Sequence, residues 1–408
     1  MAAMVEVLDG GGVTSPRGFK AGAIYAGVKT AGDGILDLGI LFSEEPATVA
    51  GTFSTNKVVS PSLVLTRDRT SSGIARAVVA NSGCANCCVG DQGLNDAKEM
   101  TALTARHLGL TDNEVLIAST GLIGVELPMA LIRQNIGNVV TKNEGGTEFA
   151  KAIMTSDTRP KEVAVAVEIN GSRITVGGAA KGSGMIHPNM ATMLGFITTD
   201  ANIDADLLKE ILVDVVDSSF NMIDVDGDQS TNDTVLLLAN GAASGPKIKG
   251  GTNESEVFKE AVRYIAITLA KELARDGEGA QKLVEVVVEG AQDISQARKA
   301  AREIASSLLV KAMIHGRDPN WGRVMMALGR SGIEFMESQV DVFINDIHIV
   351  HEGKSIPYLV DAVVSAMNVD EIQIRANINT GTSMATAWGC DLTEEYVTFN
   401  SALSLIHI

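Results

Sequence analysis

Lys181-Gly182-Ser183-Gly184-Met185-Ile186-His187-Pro188-Asn189-Met190-Ala191-Thr192-Met193-Leu194 is a loop broken by glycine and proline that runs into an apolar segment, Met193 to Thr198. Upstream, Arg173–Gly178 reads as a strand, and Thr192–Thr199 reads as the next one, so a strand begins at a hydroxyl residue that follows a small one, Ala191. Cutting the Ala191–Thr192 bond would place a free α-amine beside the Thr192 Oγ. Such an amine has a reference pKa of about 7.7–8, close to where a general base works best. An N-terminal amine is a known activator of a threonine nucleophile. On the residues alone a glycine-rich connection with a buried threonine is the favoured reading, because no general rule singles out Ala-Thr.

Outward from this loop, strands and helices alternate without a repeat. Leu36–Phe42, Thr48–Phe53 and Ala77–Ala80 read as short strands bounded by Gly, Ser and Asn. Leu94–Leu108 has helical spacing and stops at Gly109, and Val115–Ala118 is a strand that delivers Ser119-Thr120-Gly121. Val163–Ile169 and Arg173–Gly178 form a hairpin joined by Asn170-Gly171, the strongest short hairpin signal. Ala205–Phe220 and Glu254–Arg275 are amphipathic helices with the strand Thr234–Ala239 between them. Then come a strand at Leu283–Glu289, a helix from Ile294 to about Met313 and another after Asn320. Strands near Asp341–Ile344, Glu371–Ile378 and Tyr396–Phe399 close the chain. This alternation predicts a layered α/β or α+β architecture. A boundary near 280 divides a larger region, 1–280, from a smaller α/β domain, 281–408.

The chain has 408 residues, 45% hydrophobic and 20% charged, with 41 glycines and 4% aromatic residues. Its net charge of −17 argues against nucleic-acid binding, which leaves a basic footprint, but not against anionic small substrates, since a few pocket cations reverse the local field. No apolar run approaches the ~20 residues that span a bilayer. Met1 to Gly12 carries acidic residues and no basic one, unlike a signal or transit peptide, so the cytoplasm is the expected location.

Several local patterns invite chemistry and are declined. Cys84-Ala-Asn-Cys87 has CxxC spacing, but there is no second CxxC and no nearby His, so Cys84, Cys87, Cys88 and Cys390 read as thiols in a reducing compartment. Asp224-Val-Asp226-Gly-Asp228 imitates a calcium loop, yet its Gly is misplaced and Val235 stands where the closing Glu belongs. It reads as a turn network, and no metal is expected. Around Gly178–Gly184 the spacing fits neither phosphate-binding glycine motif.

The loop, ending in Met190-Ala191-Thr192-Met193-Leu194, resembles the self-cleavage site of the ornithine acetyltransferase (glutamate N-acetyltransferase) family of arginine biosynthesis. Gly12-Val13-Thr14-Ser15-Pro16-Arg17-Gly18-Phe19, Ser119-Thr120-Gly121-Leu122-Ile123-Gly124 and Met154-Thr155-Ser156-Asp157-Thr158 resemble further blocks of that family. So do Asp226-Gly227-Asp228-Gln229-Ser230-Thr231-Asn232-Asp233-Thr234 and Gly316-Arg317-Asp318-Pro319-Asn320-Trp321-Gly322-Arg323, all in family order. The resemblance implies the layered sandwich fold of these self-cleaving enzymes and acetyl transfer from N2-acetylornithine to glutamate through an acetyl-threonine, without a cofactor. It implies acetyl-CoA as a second donor in bifunctional members, and two α and two β pieces held together as α2β2.

It also implies roles. Thr192 is the nucleophile, freed by cleavage after Ala191. Thr120 and Gly121 form the oxyanion hole, where losing one donor costs on the order of 10²–10³ in rate. Thr155, Lys181, Glu278 and Asn400 bind substrate. A cation at Lys181 suits an amino-acid carboxylate and lowers the pKa of a nearby amine. Glu278, between two glycines that permit close backbone approach, suits the ammonium of ornithine. With the α-amine as base, His187 is expected to be structural. The family usually carries a hydroxyl five positions after Asn400, where this chain has Leu405, with Ser404 one residue early. Two rival readings are an amidase or aminopeptidase of the same self-cleaving architecture, and a binding protein with a disabled site.

Overall fold

The computed structural model describes residues 5–29, 35–187 and 193–406, with 402–406 by backbone alone. Its strands are β1 (Glu6–Val7), β2 (Phe19–Ile24), β3 (Leu38–Phe53), β4 (Ile74–Cys84), β5 (Val115–Leu122), β6 (Lys161–Ile169), β7 (Ser172–Lys181) and β8 (Leu194–Thr199). They continue as β9 (Ile223–Asp224), β10 (Thr234–Ala239), β11 (Leu283–Ala291), β12 (Asp341–Ile344), β13 (Ile347–His351), β14 (Lys354–Ser355), β15 (Glu371–Asn377) and β16 (Ser383–Cys390). The helices are α1 (Pro61–Thr70), α2 (Gln92–Leu108), α3 (Met129–Asn135), α4 (Gly146–Ala152), α5 (Ala205–Asp217) and α6 (Asn253–Arg275). After them come α7 (Ile294–Ala305), α8 (Leu308–Gly316), α9 (Trp321–Arg330), α10 (Val360–Ala366) and α11 (Glu394–Ile406).

One sheet runs β1-β6-β7-β8-β10-β3-β4-β5 with β2 on β3, and the other runs β14-β13-β12-β15-β11-β16-β9. The period-two alternation of strands decides what each face buries. In β4, Val78 and Ala80 join one apolar cluster with Phe149 of α4, while Ala77 and Val79 join another with Met100 of α2. A third cluster is shared by both sheets. In it α6 packs on β6 and β7 of the first sheet and on β9, β11 and β16 of the second, with α7 on β11 and β16. The expected layered α/β architecture is what the chain adopts.

Local chemistry explains most element ends. Asn170 and Gly171 both take positive φ, +52° and +74°, the pair of left-handed residues that a type I′ hairpin turn requires. Gly109 ends α2 in the left-handed conformation, and its N–H caps Ala105 O.

Four expectations change. Leu36–Phe42 and Thr48–Phe53 belong to one long strand, β3, whose register against β4 shifts between Phe42 and Ala47. Pro46 falls inside that irregularity, where a missing donor is tolerated. Helix α1 was not anticipated, although Ser60 caps it by accepting the Ser62 N–H (3.2 Å) and Pro61 opens it. The helix expected from Ile294 to Met313 divides at Ser306-Ser307, because the Ser307 hydroxyl accepts from Val310 N (3.4 Å) and caps a new helix, α8. Tyr396–Phe399 is not a strand but part of α11. Its aromatic and β-branched residues favour strand locally, a preference that tertiary context overrides.

Candidate active site

Three strand ends meet beside the loop that follows Lys181. Lys181, last in β7, lies opposite Leu194, first in β8, and Leu194 lies opposite Thr234, first in β10. Thr120 and Gly121 lie near the end of β5. In the sheet, β5 and β7 are five strand steps apart, about 24 Å if the sheet were flat. Yet Lys181 Nζ donates to Thr120 Oγ1 across 3.3 Å. The sheet therefore curls until its two flanks close on one cleft.

Thr120, Gly121, Thr155, Lys181, Glu278 and Asn400 all line that cleft. Every described residue that the resemblance assigned to the site is thus in one place. Thr192 and Ala191, the nucleophile and its cleavage partner, lie outside the described residues. The structure describes Ser404 and Leu405 only as helical backbone.

Lys181 is buried and also donates to Thr155 Oγ1 at 2.7 Å. Burial lowers its pKa from the ordinary lysine value. Because Thr120 Oγ1 accepts from Lys181, its own hydroxyl hydrogen remains available to another oxygen. Gly121 has φ +127°, and a Cβ there would sit 2.2 Å from the carbonyl carbon of Gly83 on the paired strand, so only glycine fits.

Glu278 is held from three sides. Its N–H donates to Ser183 O (2.7 Å), Ser156 Oγ donates to its Oε1 (2.6 Å), and Asn400 Nδ2 donates to its Oε2 (2.8 Å). Ser156 and Ser183 are themselves hydrogen-bonded at 2.6 Å. A Cβ on Gly184 would lie 2.4 Å from the Glu278 carboxyl carbon, so this glycine gives the carboxylate its room.

Beneath the cleft lies a buried charge network that no spacing in the sequence announces. Asp157 Oδ1 accepts from Lys161 Nζ (2.6 Å) and Gly182 N (2.7 Å), and Oδ2 accepts from Thr155 N (3.0 Å). Lys161 Nζ also reaches Asp276 Oδ2 at 2.6 Å. Burial by itself would raise the Asp157 carboxyl, but the Lys181 and Lys161 charges and the Gly182 N–H outweigh it and hold it down at about 2. Asp157 thereby fixes both Thr155 and the backbone after Lys181.

The loop after Gly184 is anchored by the acidic turn. Asp226 accepts from Met185 N (2.6 Å) and Ile186 N (2.9 Å), and burial pushes its pKa up to about 6. His187 Nδ1 hydrogen-bonds Asp224 Oδ2 at 2.8 Å, and Asp224 also contacts the buried Lys311 at 3.2 Å. The Asp-rich run works as a turn network around the loop. Asn232 lines the cleft too, with Nδ2 donating to Ala85 O (2.6 Å) and Ser119 O (2.7 Å), which ties the turn after β4 to the Thr120 segment. Cys84, Cys87 and Cys390 are buried free thiols and Cys88 is exposed.

Comparison with known sequences identifies the kin of this arrangement. The ArgJ family pattern matches residues 20–404. The chain belongs to the ArgJ family. It is 49% identical over 394 residues to the arginine biosynthesis bifunctional protein ArgJ of Symbiobacterium thermophilum, covering 96% of this chain and 98% of the relative. To the ArgJ protein of Dehalococcoides mccartyi it is 47% identical over 401 residues, covering 98% and 99%. A crystal structure of ArgJ from Bacillus halodurans, 39% identical, superposes with a TM-score of 0.51 over 52% of this chain and all of that one. Over the 52% of this chain that superposes, it shares the fold as well as the sequence of that relative.

Proposed function

We propose that the chain is an acetyltransferase of arginine biosynthesis that moves acetyl from N2-acetylornithine to glutamate, after cutting itself between Ala191 and Thr192. The observation that carries this reading is the convergence of Thr120, Gly121, Thr155, Lys181, Glu278 and Asn400 on one cleft. The strand positions Lys181 and Leu194, which bracket the cleavage segment in sequence, face each other at its side.

Thr192 Oγ attacks the acetyl carbonyl while the α-amine of the same residue takes the hydroxyl proton. The Thr120 hydroxyl and the Gly121 N–H stabilise the oxyanion. The carbon–nitrogen bond then breaks, the proton passes to the departing amine, and ornithine leaves. The amine of glutamate attacks the acetyl-threonine in the reverse sequence, which makes the kinetics ping-pong. Glu278, its two oxygens fixed by Ser156 and Asn400, meets the side-chain ammonium of ornithine, and Lys181 meets a substrate carboxylate.

Relatives at 49% and 47% identity are named bifunctional, which supports acetyl-CoA as a second donor. In this reading no cofactor takes part. Residues 1–280 hold the catalytic groups, and 281–408 complete the substrate site through Asn400. The cut pieces stay together as α2β2 in the cytoplasm.

Incubation with N2-acetylornithine, with and without glutamate, tests the reading. Acetylglutamate marks the transferase, free acetate marks a hydrolase, and unchanged substrate marks a binder. On a denaturing gel the protein is expected as two pieces, the second beginning Thr-Met-Leu-Gly-Phe, and Thr192→Ala is expected to stay whole. A cut elsewhere, or a cut alanine variant, removes Thr192 from its role.

A further inference from the structure

Near one edge of the second sheet, β12 and β13 pair out of regular step. Val342 lies opposite Val350, and the next residue, Phe343, lies opposite His348. Ile349 is therefore one residue too many on β13, a β-bulge. Along a regular strand, side chains alternate between faces, and residues three apart point opposite ways. The bulge cancels that alternation. Ile349 and Val350 are neighbours in sequence, yet both are wholly buried in the core that the two sheets share. His348 and His351 are thereby both turned to the outer face, which also carries Asp341 and Phe343 of β12.

Three polar side chains converge there. Asp341 Oδ1 lies 2.8 Å from His351 Nδ1 and 3.6 Å from His348 Nε2. Each residue offers one donor atom, and these atoms are all within 4.8 Å of one another. A tetrahedral ion bound at about 2.1 Å holds its donors roughly 3.4 Å apart, so the cluster is already close to that size. Hydrogen bonding to Asp341 accounts for His351 but not for His348, whose Nε2 is buried and makes no hydrogen bond among the described residues. The His348 ring is held by stacking on Phe343, with centroids 4.2 Å apart and planes 14° from parallel. The carboxylate is steadied as well: Asn379 Nδ2 donates to Asp341 Oδ2 at 3.2 Å, and Glu352 N donates to Oδ1 at 3.1 Å. Outer partners of this kind orient the ligands of metal sites.

We propose that Asp341, His348 and His351 bind a divalent transition-metal ion of the zinc type. Two imidazoles with one carboxylate suit such an ion, whereas Mg²⁺ and Ca²⁺ prefer oxygen donors. The ion replaces the hydrogen between His351 Nδ1 and Asp341, and that proton leaves to solvent. His348 coordinates through Nε2, and Asp341 Oδ1 has a lone pair to spare beside its bond from Glu352 N. Three protein donors leave a fourth position for water. None of the three residues lines the cleft, so the site is separate from acetyl transfer and does not rest on that reading. Bound there, the ion fastens β13 to β12 beside the short edge strand β14 and stabilises the folded chain.

Calorimetry of the chelator-treated protein with Zn²⁺ alone tests the proposal. One ion per chain is expected to bind. His348→Phe keeps a ring to stack on Phe343 but has no nitrogen, and His351→Gln alters only an exposed side chain. Both variants are expected to fold, by circular dichroism, and to bind Zn²⁺ at least ~10-fold more weakly, the smaller of the losses caused by removing even an outer partner of a metal. Excess Zn²⁺ is expected to raise the melting temperature of the parent and of neither variant. A parent that takes up no Zn²⁺ overturns the proposal. So do folded variants that bind it as the parent does, because the ion then sits elsewhere, for example on the Cys87 and Cys88 thiols. Should His348→Phe not fold, His351→Gln decides by the same criterion.

Discussion

Asn400 Nδ2 donates to Glu278 Oε2 at 2.8 Å, joining α11 to a loop residue 122 positions earlier. With Ser156 on the other oxygen, Glu278 cannot turn away from the cleft without losing a bond to a charged group. Such bonds contribute about 1.5–3 kcal/mol, and 1.4 kcal/mol is tenfold in affinity. Asn400→Ala is therefore expected to raise KM for acetylornithine about tenfold while kcat stays within about threefold. Steady-state kinetics check it. A loss confined to kcat would place Asn400 in the chemical step.

Gly184 offers a sharper probe of the same carboxylate. A methyl group there collides with Glu278 Cδ, built 2.4 Å away, so Gly184→Ala displaces the end of a side chain and no backbone. Moving the carboxylate strains its bonds to Ser156 and Asn400, so a modest loss of stability is expected, and KM for the cationic donor rises by about the same factor as in Asn400→Ala. Combining the two variants checks the shared cause. Residues that act on one group are expected to be less than additive, and full additivity would show that they act separately.

How far these contacts could be read in the sequence depended on their range. The Asn170-Gly171 turn and the Gly109 helix stop are local, and their residues announce them. The cleft is not local: Thr120, Lys181, Glu278 and Asn400 come from four distant places, and only resemblance to known enzymes grouped them. Ser156 and Asp157 escaped even that. What an acid does depends on neighbours such as Lys161 and Asp276, which the fold brings in and no spacing encodes. Tyr396–Phe399 failed for the opposite reason: its residues carry a strong local preference, and the chain overrides it.

Thr120 makes one hydrogen bond as acceptor, from Lys181, which leaves its hydroxyl hydrogen for the reaction. Thr120→Ala is expected to lower kcat about 100-fold with KM for acetylornithine nearly unchanged. Thr120→Ser keeps the hydroxyl and is expected to recover most of the rate. A change in KM alone would make Thr120 a group that binds the ground state.

Asp157 leads to a prediction about stability. Its pKa in the folded protein, about 2, lies below the ordinary 3.8. A group depressed in this way contributes stability above its unfolded value and loses that contribution as pH falls through its folded value. Its share is thus full at neutral pH and disappears between about pH 4 and pH 2. Asp157→Asn leaves Lys161 with Asp276 as its remaining carboxylate. The expected loss at pH 7 is therefore near the low end of the 3–5 kcal/mol typical of a broken buried pair. Other carboxylates also titrate in acid, so the informative quantity is the difference between parent and variant. Denaturant unfolding at pH 7, 4 and 2.5 is expected to show that difference shrinking as pH falls, because only the parent has the Asp157 contribution to lose. Curves that stay parallel over this range would mean that Asp157 is not held ionised by Lys181 and Lys161.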